Sequence, residues 1–239
     1  MRINKLKKII DKYFETQDTN QSLIIIAGPT GIGKSYFAIK LALEINGVII
    51  NADSIQVYKN LKIMSSQPSI KDLKTVHHFL YSFREIDENY SVGDWLNSLN
   101  RVLVGIKAKK KLPILVGGTG MYIDAAINGL SDIPKINEKV KLNTNIMFET
   151  LGINKFREIV SKIDPVYCCQ NKDKQRLIRA YNVYLSTGKT LTDWHNSKSI
   201  KGINRKIFSI LLNKERNENY KNCDNRFEEF IKSGGLDEV

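Results

Sequence analysis

The run Gly28-Pro29-Thr30-Gly31-Ile32-Gly33-Lys34-Ser35 has the spacing G-x-x-x-x-G-K-S. Glycines so placed let the backbone curl until successive N–H groups point at one anion, and a helix opening directly after the turn adds the partial positive charge of its N-terminus. Lys34 supplies a mobile cation for a terminal phosphate, and the Ser35 hydroxyl is a hard oxygen donor for a Mg²⁺ ion bridging phosphate oxygens. The pattern specifies phosphate binding without naming the phosphate compound. Asn51-Ala52-Asp53-Ser54 ends a second apolar run, so Asp53 can ligate Mg²⁺ or act as a general base, with simple capping of the next helix as the plainer alternative. Gly117-Gly118-Thr119-Gly120 forms another turn, where Thr119 can offer a hydroxyl and an N–H to the same pocket or only cap a helix.

These residues need a scaffold that brings separate turns to one edge. Leu23–Ala27, Gly47–Asn51 and Leu112–Val116 are short, apolar and rich in β-branched residues, which predicts buried parallel strands. Helical periodicity follows the first, with Phe37, Ala38, Leu41, Ala42 and Ile45 on one face. It also follows the third, with Tyr122, Ile123, Ala126 and Ile127. Strand, glycine turn, helix, strand is the order of a doubly wound α/β sheet, whose ligand crevice lies at the carboxyl ends of the strands. Beyond Pro134 strands disappear and helical patterns dominate, until Ile207–Leu212 reads as a strand returning to the sheet. The expected organisation is an amphipathic helix in 1–20, with Ile3, Leu6, Ile9, Ile10, Tyr13 and Phe14 at helical spacing. It continues with a P-loop NTPase-like α/β core in 21–134 and 207–239, and a basic all-helical insertion in 135–206.

The formal net charge of +12 points to an anionic partner, and its distribution narrows the location. Residues 135–206 hold 15 Lys and Arg against 6 Asp and Glu, so +9 of the total lies in that segment. Within it, Asn171-Lys172-Asp173-Lys174-Gln175-Arg176-Leu177-Ile178-Arg179 begins a basic helix. Arg176 and Arg179 share a face suited to phosphates, and Gln175 could meet a base edge, although a solvated face is the default for such a run. Tyr167, Tyr181, Tyr184 and Trp194 are expected in a core rather than stacked on bases. His77 and His78 lack ligand partners at metal spacing and take structural or supporting roles. Cys168, Cys169 and Cys223 form no C-x-x-C pair, which argues against a disulfide framework or zinc finger and fits a reducing cytoplasm. No apolar run is long enough to span a membrane, and the N-terminal segment has no signal-peptide pattern.

GPTGIGKS, NADSIQVYKNL, VHHFL, YSVGDW, PILVGGTGMY, NKDKQRLIRAYNVYLSTGKTLT and NRFEEFIKSGGLDEV occur in the order seen in tRNA dimethylallyltransferases, and the chain resembles that family from about Leu23 to its last residue. The resemblance implies transfer of a dimethylallyl group from dimethylallyl diphosphate to N6 of the adenosine 3′-adjacent to the anticodon. It implies Mg²⁺ as cofactor, the tRNA anticodon stem-loop as partner, and a cytoplasmic monomer without membrane contact. By the same resemblance, Gly28, Pro29, Thr30, Gly31, Ile32, Gly33, Lys34, Ser35 and Arg226 bind the diphosphate, with Ser35 also on Mg²⁺. Asp53 would take the N6 proton and Thr119 would contact the bridging oxygen of the donor. Asp53, Ser54, Ile55, Gln56, Thr119, Lys141, Gln175, Arg176, Leu177, Ile178 and Arg179 would contact tRNA. Lys141 stands where many members have Arg, which keeps the charge and loses the bidentate fork. Family members extend beyond the point matching Val239, so a tRNA-binding homologue impaired in catalysis is a second reading. A P-loop small-molecule kinase is a third, disfavoured because no lid-like Arg pair lies between the core strands.

Overall fold

Runs that are apolar nearly throughout belong in the middle of a parallel sheet, where both faces are covered. In the computed structural model, which describes residues 3–15, 21–107, 110–197 and 200–238, three such runs take the three central places. They are β1 (Ser22–Ala27), β2 (Gly47–Asn51) and β4 (Leu112–Gly117), with β3 (His78–Phe79) and β5 (Lys206–Leu211) at the edges. The five-stranded order is β3-β2-β4-β1-β5, every pair parallel. Ile24 sits opposite Ile114 and Phe208, and Asn51 opposite Val116, so the strand ends bearing the glycine turns and Asp53 are in register at one edge.

Alternate strand residues divide between the faces. Ile24, Ile26, Ile49, Ile114 and Val116 form one cluster with Leu6, Ile10 and Phe14 of α1 (Ile3–Phe14) and Ala38, Leu41 and Ala42 of α2 (Lys34–Glu44). α1 is fastened to the edge strand through Tyr13, whose hydroxyl donates to the Ile207 carbonyl at 2.9 Å. Ile9 and Tyr13, expected on its apolar face, are both exposed. α4 (Val92–Lys107) buries Trp95, Leu96, Leu99, Leu103 and Ile106, and Trp95 stacks on Tyr122 of α5 (Gly120–Asn128) with ring centroids 4.4 Å apart. α3 (Ile70–Thr75) is a single turn and a half closed by a Ser69–Asp72 capping box. The last long helix, α10 (Arg216–Lys232), is followed by a short 3₁₀ turn at Gly235–Glu238.

The chain folds as two units, Met1–Ile127 with Ile203–Val239, and Asn128–Gly202. The second unit begins earlier and ends earlier than the segment 135–206 read from the sequence. An antiparallel bridge between Leu130 and Ile200 closes it, while Lys206 belongs to β5. Its helices are α6 (Glu138–Ile163, kinked at Gly152), α7 (Pro165–Gln170), α8 (Lys174–Thr187) and α9 (Leu191–Asn196). They bury Phe148, Phe156, Val160, Leu177, Ile178 and Val183 together. Buried Asp164 joins α7 to α9. It accepts from the Tyr167 N–H at 3.0 Å, and from the Thr192 hydroxyl at 2.6 Å and N–H at 2.9 Å. Tyr167, Tyr181 and Trp194 pack against this core as expected, whereas Tyr184 is exposed.

Candidate active site

The first unit carries a cleft of about 530 Å³ at the carboxyl ends of its strands. Thr30, Gly31, Gly33, Lys34 and Ser35 form one wall, Asp53, Ile55 and Gln56 a second, residues 64–68 a third, and Arg226 and Glu229 of α10 a fourth. Gly33 is the N-cap of α2 at φ +90°, a left-handed conformation that a side chain would strain. No side chain caps this helix and its first turn holds no acidic residue, so its opening N–H groups face an anion without competition. Ile32 is the loop residue that turns inward, and only its backbone can serve a ligand.

Lys34 donates to the Gly28 and Pro29 carbonyls at 2.9 and 2.8 Å. Burial holds its pKa below the ordinary lysine value. The Asp53 carboxylate opposes that shift and the Arg226 guanidinium reinforces it. Arg226 reaches the cleft from α10, with Nε donating to the Ser66 hydroxyl at 2.8 Å and burial lowering its pKa. Close by, the Cys223 thiol donates to the Thr30 carbonyl at 3.6 Å, which seats α10 beside the phosphate loop. The phenol of the partly buried Tyr81 is pushed up by desolvation and then by the charge of Asp53. Lys34, Arg226 and Asp53 therefore share one field, with the carboxylates of Asp72 and Glu229 also on the cleft wall.

Asp53 accepts the Ile55 N–H on Oδ1 at 2.9 Å. Among the described residues no group of three or more His, Cys, Asp or Glu side chains is arranged to hold a metal. Ser35 and Asp53, both on the cleft wall, are hard oxygen donors. That set suits an ion such as Mg²⁺, which keeps most of its shell as water and phosphate oxygens.

Several expected roles change. Thr119 is not on the cleft wall. It caps α5, accepting from the Tyr122 and Ile123 N–H groups through its carbonyl, while Oγ1 accepts the Ser54 N–H at 3.0 Å. It braces the Asp53–Ser54 tip from behind because its own N–H donates to the Ala52 carbonyl at 3.3 Å. Gln56 lines the cleft, and its amide also donates to the Ser65 and Ser66 carbonyls at 2.7 and 3.0 Å, shaping the wall that carries the Arg226 partner. Lys141, Gln175, Arg176, Leu177, Ile178 and Arg179 all lie in the second unit. Gln175, Arg176 and Arg179 are exposed. Arg176 pairs with Asp173 at 3.2 Å and Lys141 with Glu138 at 2.7 Å. Leu177 and Ile178 are 0% and 7% exposed, so their side chains build the helical core and cannot contact RNA. Two residues of the site that spacing alone does not single out are Asn51, buried at the tip of β2, and Trp95, whose indole N–H donates to the Asn51 carbonyl at 3.0 Å. The one signal for Asn51 is a polar residue closing an otherwise apolar strand.

Comparison with known proteins bears on the family and the fold. The IPP transferase family model matches residues 56–239. The tRNA dimethylallyltransferase of Ehrlichia canis (strain Jake) is 37% identical over 219 residues, which cover 91% of this chain and 73% of that protein. The tRNA dimethylallyltransferase of Pelagibacter ubique (strain HTCC1062) is 37% identical over 228 residues, 93% of this chain and 72% of that protein. Among solved structures, a eukaryotic dimethylallyltransferase acting on tRNA superposes with a TM-score of 0.76 at 26% identity, covering 92% of this chain and 55% of that one. The chain thus spans about half the length of that enzyme. The full-length tRNA isopentenylpyrophosphate transferase of Bacillus halodurans gives 0.58 at 27% identity, covering 91% of this chain and 68% of that one. The chain belongs to the IPP transferase family.

Proposed function

We propose that the protein transfers a dimethylallyl group from dimethylallyl diphosphate to N6 of the adenosine 3′-adjacent to the anticodon of tRNAs. The observation that carries this reading is one cleft holding both the uncapped N-terminus of α2 with Lys34 and Arg226, and the carboxylate of Asp53. Breaking an allylic C–O bond leaves negative charge on the diphosphate. The loop N–H groups of Thr30–Ser35, the Lys34 ammonium and the Arg226 guanidinium are preorganised to receive it. Ser35, with Asp53 near, would hold a Mg²⁺ ion, which would add to the neutralisation of that charge. The exocyclic amine is a poor nucleophile because its lone pair is shared with the ring. A carboxylate that accepts its proton as the C–N bond forms contributes about 10²–10⁴-fold.

The adenine must leave its stack to reach the cleft. In this reading the helical unit, with the exposed Gln175, Arg176 and Arg179 and with Lys141, holds the anticodon stem-loop through its backbone. The enzyme acts as a monomer in the cytoplasm. No helix among the described residues is long and apolar enough to cross a membrane.

The test is incubation with labelled dimethylallyl diphosphate, Mg²⁺ and an anticodon stem-loop bearing the target adenosine, followed by nucleoside analysis. N6-dimethylallyladenosine is expected from the parent and its loss from Asp53→Ala, with RNA affinity retained. Phosphate transfer from ATP in place of prenyl transfer, or an Asp53→Ala protein working at the parental rate, would refute the assignment.

A further inference from the structure

Asn51 is the last residue of β2 and is 0% exposed. A buried amide is tolerated when its donors and acceptor are matched, so its partners show what it is for. Nδ2 donates to the Asp53 carbonyl at 2.9 Å and to the Leu80 carbonyl at 3.0 Å. Oδ1 accepts the Asp53 N–H at 2.8 Å. One side chain thus holds both backbone polar groups of Asp53, the residue two positions ahead. The Asn51 main chain is itself fixed, since its carbonyl accepts the Trp95 indole N–H at 3.0 Å and β2 is paired to β4 beside it. The Leu80 link ties the same amide to the end of β3, where Leu80 has φ +63°, a conformation a leucine keeps only when its surroundings impose it. With the Ile55 N–H on Oδ1 of Asp53, the carboxylate leaves a main chain held at both ends and is itself held at one oxygen.

We propose that Asn51 is the positioning residue for the Asp53 carboxylate, fixing its approach to the incoming amine through the Asp53 backbone without touching the diphosphate. This rests on the reading of Asp53 as the proton acceptor. Alanine at this position leaves the Asp53 N–H and the Leu80 carbonyl without the amide and frees the turn. Serine can restore the acceptor for the Asp53 N–H and little else. The diphosphate wall, built on the β1–α2 loop and α10, is untouched by either change.

Steady-state transfer to a stem-loop is measured for Asn51→Ala, Asn51→Ser, Asp53→Ala and the double variants, with a thermal melt of each. Misplacing a reacting group by about 1 Å costs on the order of 10²-fold, so Asn51→Ala should lower kcat by about that factor with the donor KM unchanged. Asn51→Ser should recover part of the loss. In the Asp53→Ala background, where no carboxylate remains to be positioned, Asn51→Ala should leave the residual single-turnover rate unchanged. Parental kcat in Asn51→Ala overturns the proposal. So does an equal fold loss with and without Asp53, which marks a role in the fold alone. If Asn51→Ala does not yield folded protein, Asn51→Ser with and without Asp53 makes the same comparison. An Asp53→Ala protein at parental rate instead removes the base assignment itself, so the two failures are distinguishable.

Discussion

Adding one methyl group at Gly117 tests whether the end of β4 fixes the place of Asp53. A Cβ built on Gly117 lies 2.0 Å from the Ala52 carbonyl oxygen and 2.3 Å from its carbon, both main-chain atoms. Real Cβ atoms essentially never approach closer than 3.0 Å, so Gly117→Ala requires a displacement of at least about 1 Å between the ends of β4 and β2. No side chain can rotate away to relieve it. The two strands are held there by the Ala52 N–H donating to the Val116 carbonyl at 2.8 Å, and Asp53 is the next residue along. Overpacking of this kind costs about 1–3 kcal/mol. For a chain of this size that is a fall in melting temperature of roughly 2–12 °C. The functional loss should exceed what this destabilisation explains at an assay temperature below the melt, because a shift of about 1 Å in a reacting group costs on the order of 10²-fold in rate. The assay is single-turnover prenyl transfer with saturating donor, beside calorimetric donor binding. Donor affinity should fall by a smaller factor than turnover, because the clash is with Ala52 of β2, although Gly117 also pairs with Ala27 at the foot of the phosphate loop and lines the cleft. A Gly117→Ala protein that transfers at the parental rate, or that loses donor binding and turnover by the same factor, would refute the assignment of this contact to the carboxylate side of the cleft.

Lys34→Met removes a charge-assisted donor worth about 1.5–3 kcal/mol, so the donor Kd should rise about 10–150-fold by calorimetry while the melting temperature holds. Because burial lowers the Lys34 pKa in the free protein and a bound diphosphate favours its charged form, binding should take up a proton at alkaline pH. The sign is therefore that affinity falls as pH rises through the lowered Lys34 pKa, below the ordinary 10.5, and the dependence should vanish in Lys34→Met; it is read from binding enthalpies in buffers of different ionisation enthalpy. Replacing Arg176 and Arg179 by Gln should weaken stem-loop binding and flatten the slope of log K against log salt by roughly 1.4–1.8, measured by fluorescence anisotropy; a parental slope would remove these arginines from phosphate contact.

The phosphate loop was legible because its chemistry is written in consecutive residues, and the same holds for the strands that carry it. β2 ends at Asn51 as expected, and β1 begins one residue earlier, at Ser22. α4 was harder to read. Its apolar face repeats at helical spacing, but Gly93 and Gly105 weaken the propensity by about 1 kcal/mol each, and packing against β4 supplies what propensity does not. β3 is two residues long, too short for any period, and exists only because β2 offers an edge. Leu177 and Ile178 show the cost of following a basic run rather than the helix it forms. At 100° per residue, Gln175, Arg176 and Arg179 fall on one face and Leu177 and Ile178 on the other. Asn51 has partners two and 29 residues away, and no local spacing encodes the second.

The strand order has a consequence for the reaction. β4 lies between β1 and β2, so the phosphate loop and the Asp53 tip are two strand positions apart, about 9–10 Å at the usual interstrand distance. Adjacent strands would leave about 4.8 Å, enough for a direct contact between loop and carboxylate and too little for a reaction between them. On the proposed reading, the wider gap has room for a diphosphate oxygen, the allylic carbon, an amine nitrogen and the carboxylate that would take its proton. It also places the two halves of the chemistry on separate supports. Lys34 and Arg226 answer to the β1–α2 loop and to α10, whereas Asp53 answers to Asn51 and Gly117. Substitutions on the first set should therefore appear chiefly in donor affinity and those on the second chiefly in kcat. A chain in which Gly117→Ala and Lys34→Met shifted the same kinetic constant by the same factor would not have its supports divided in this way.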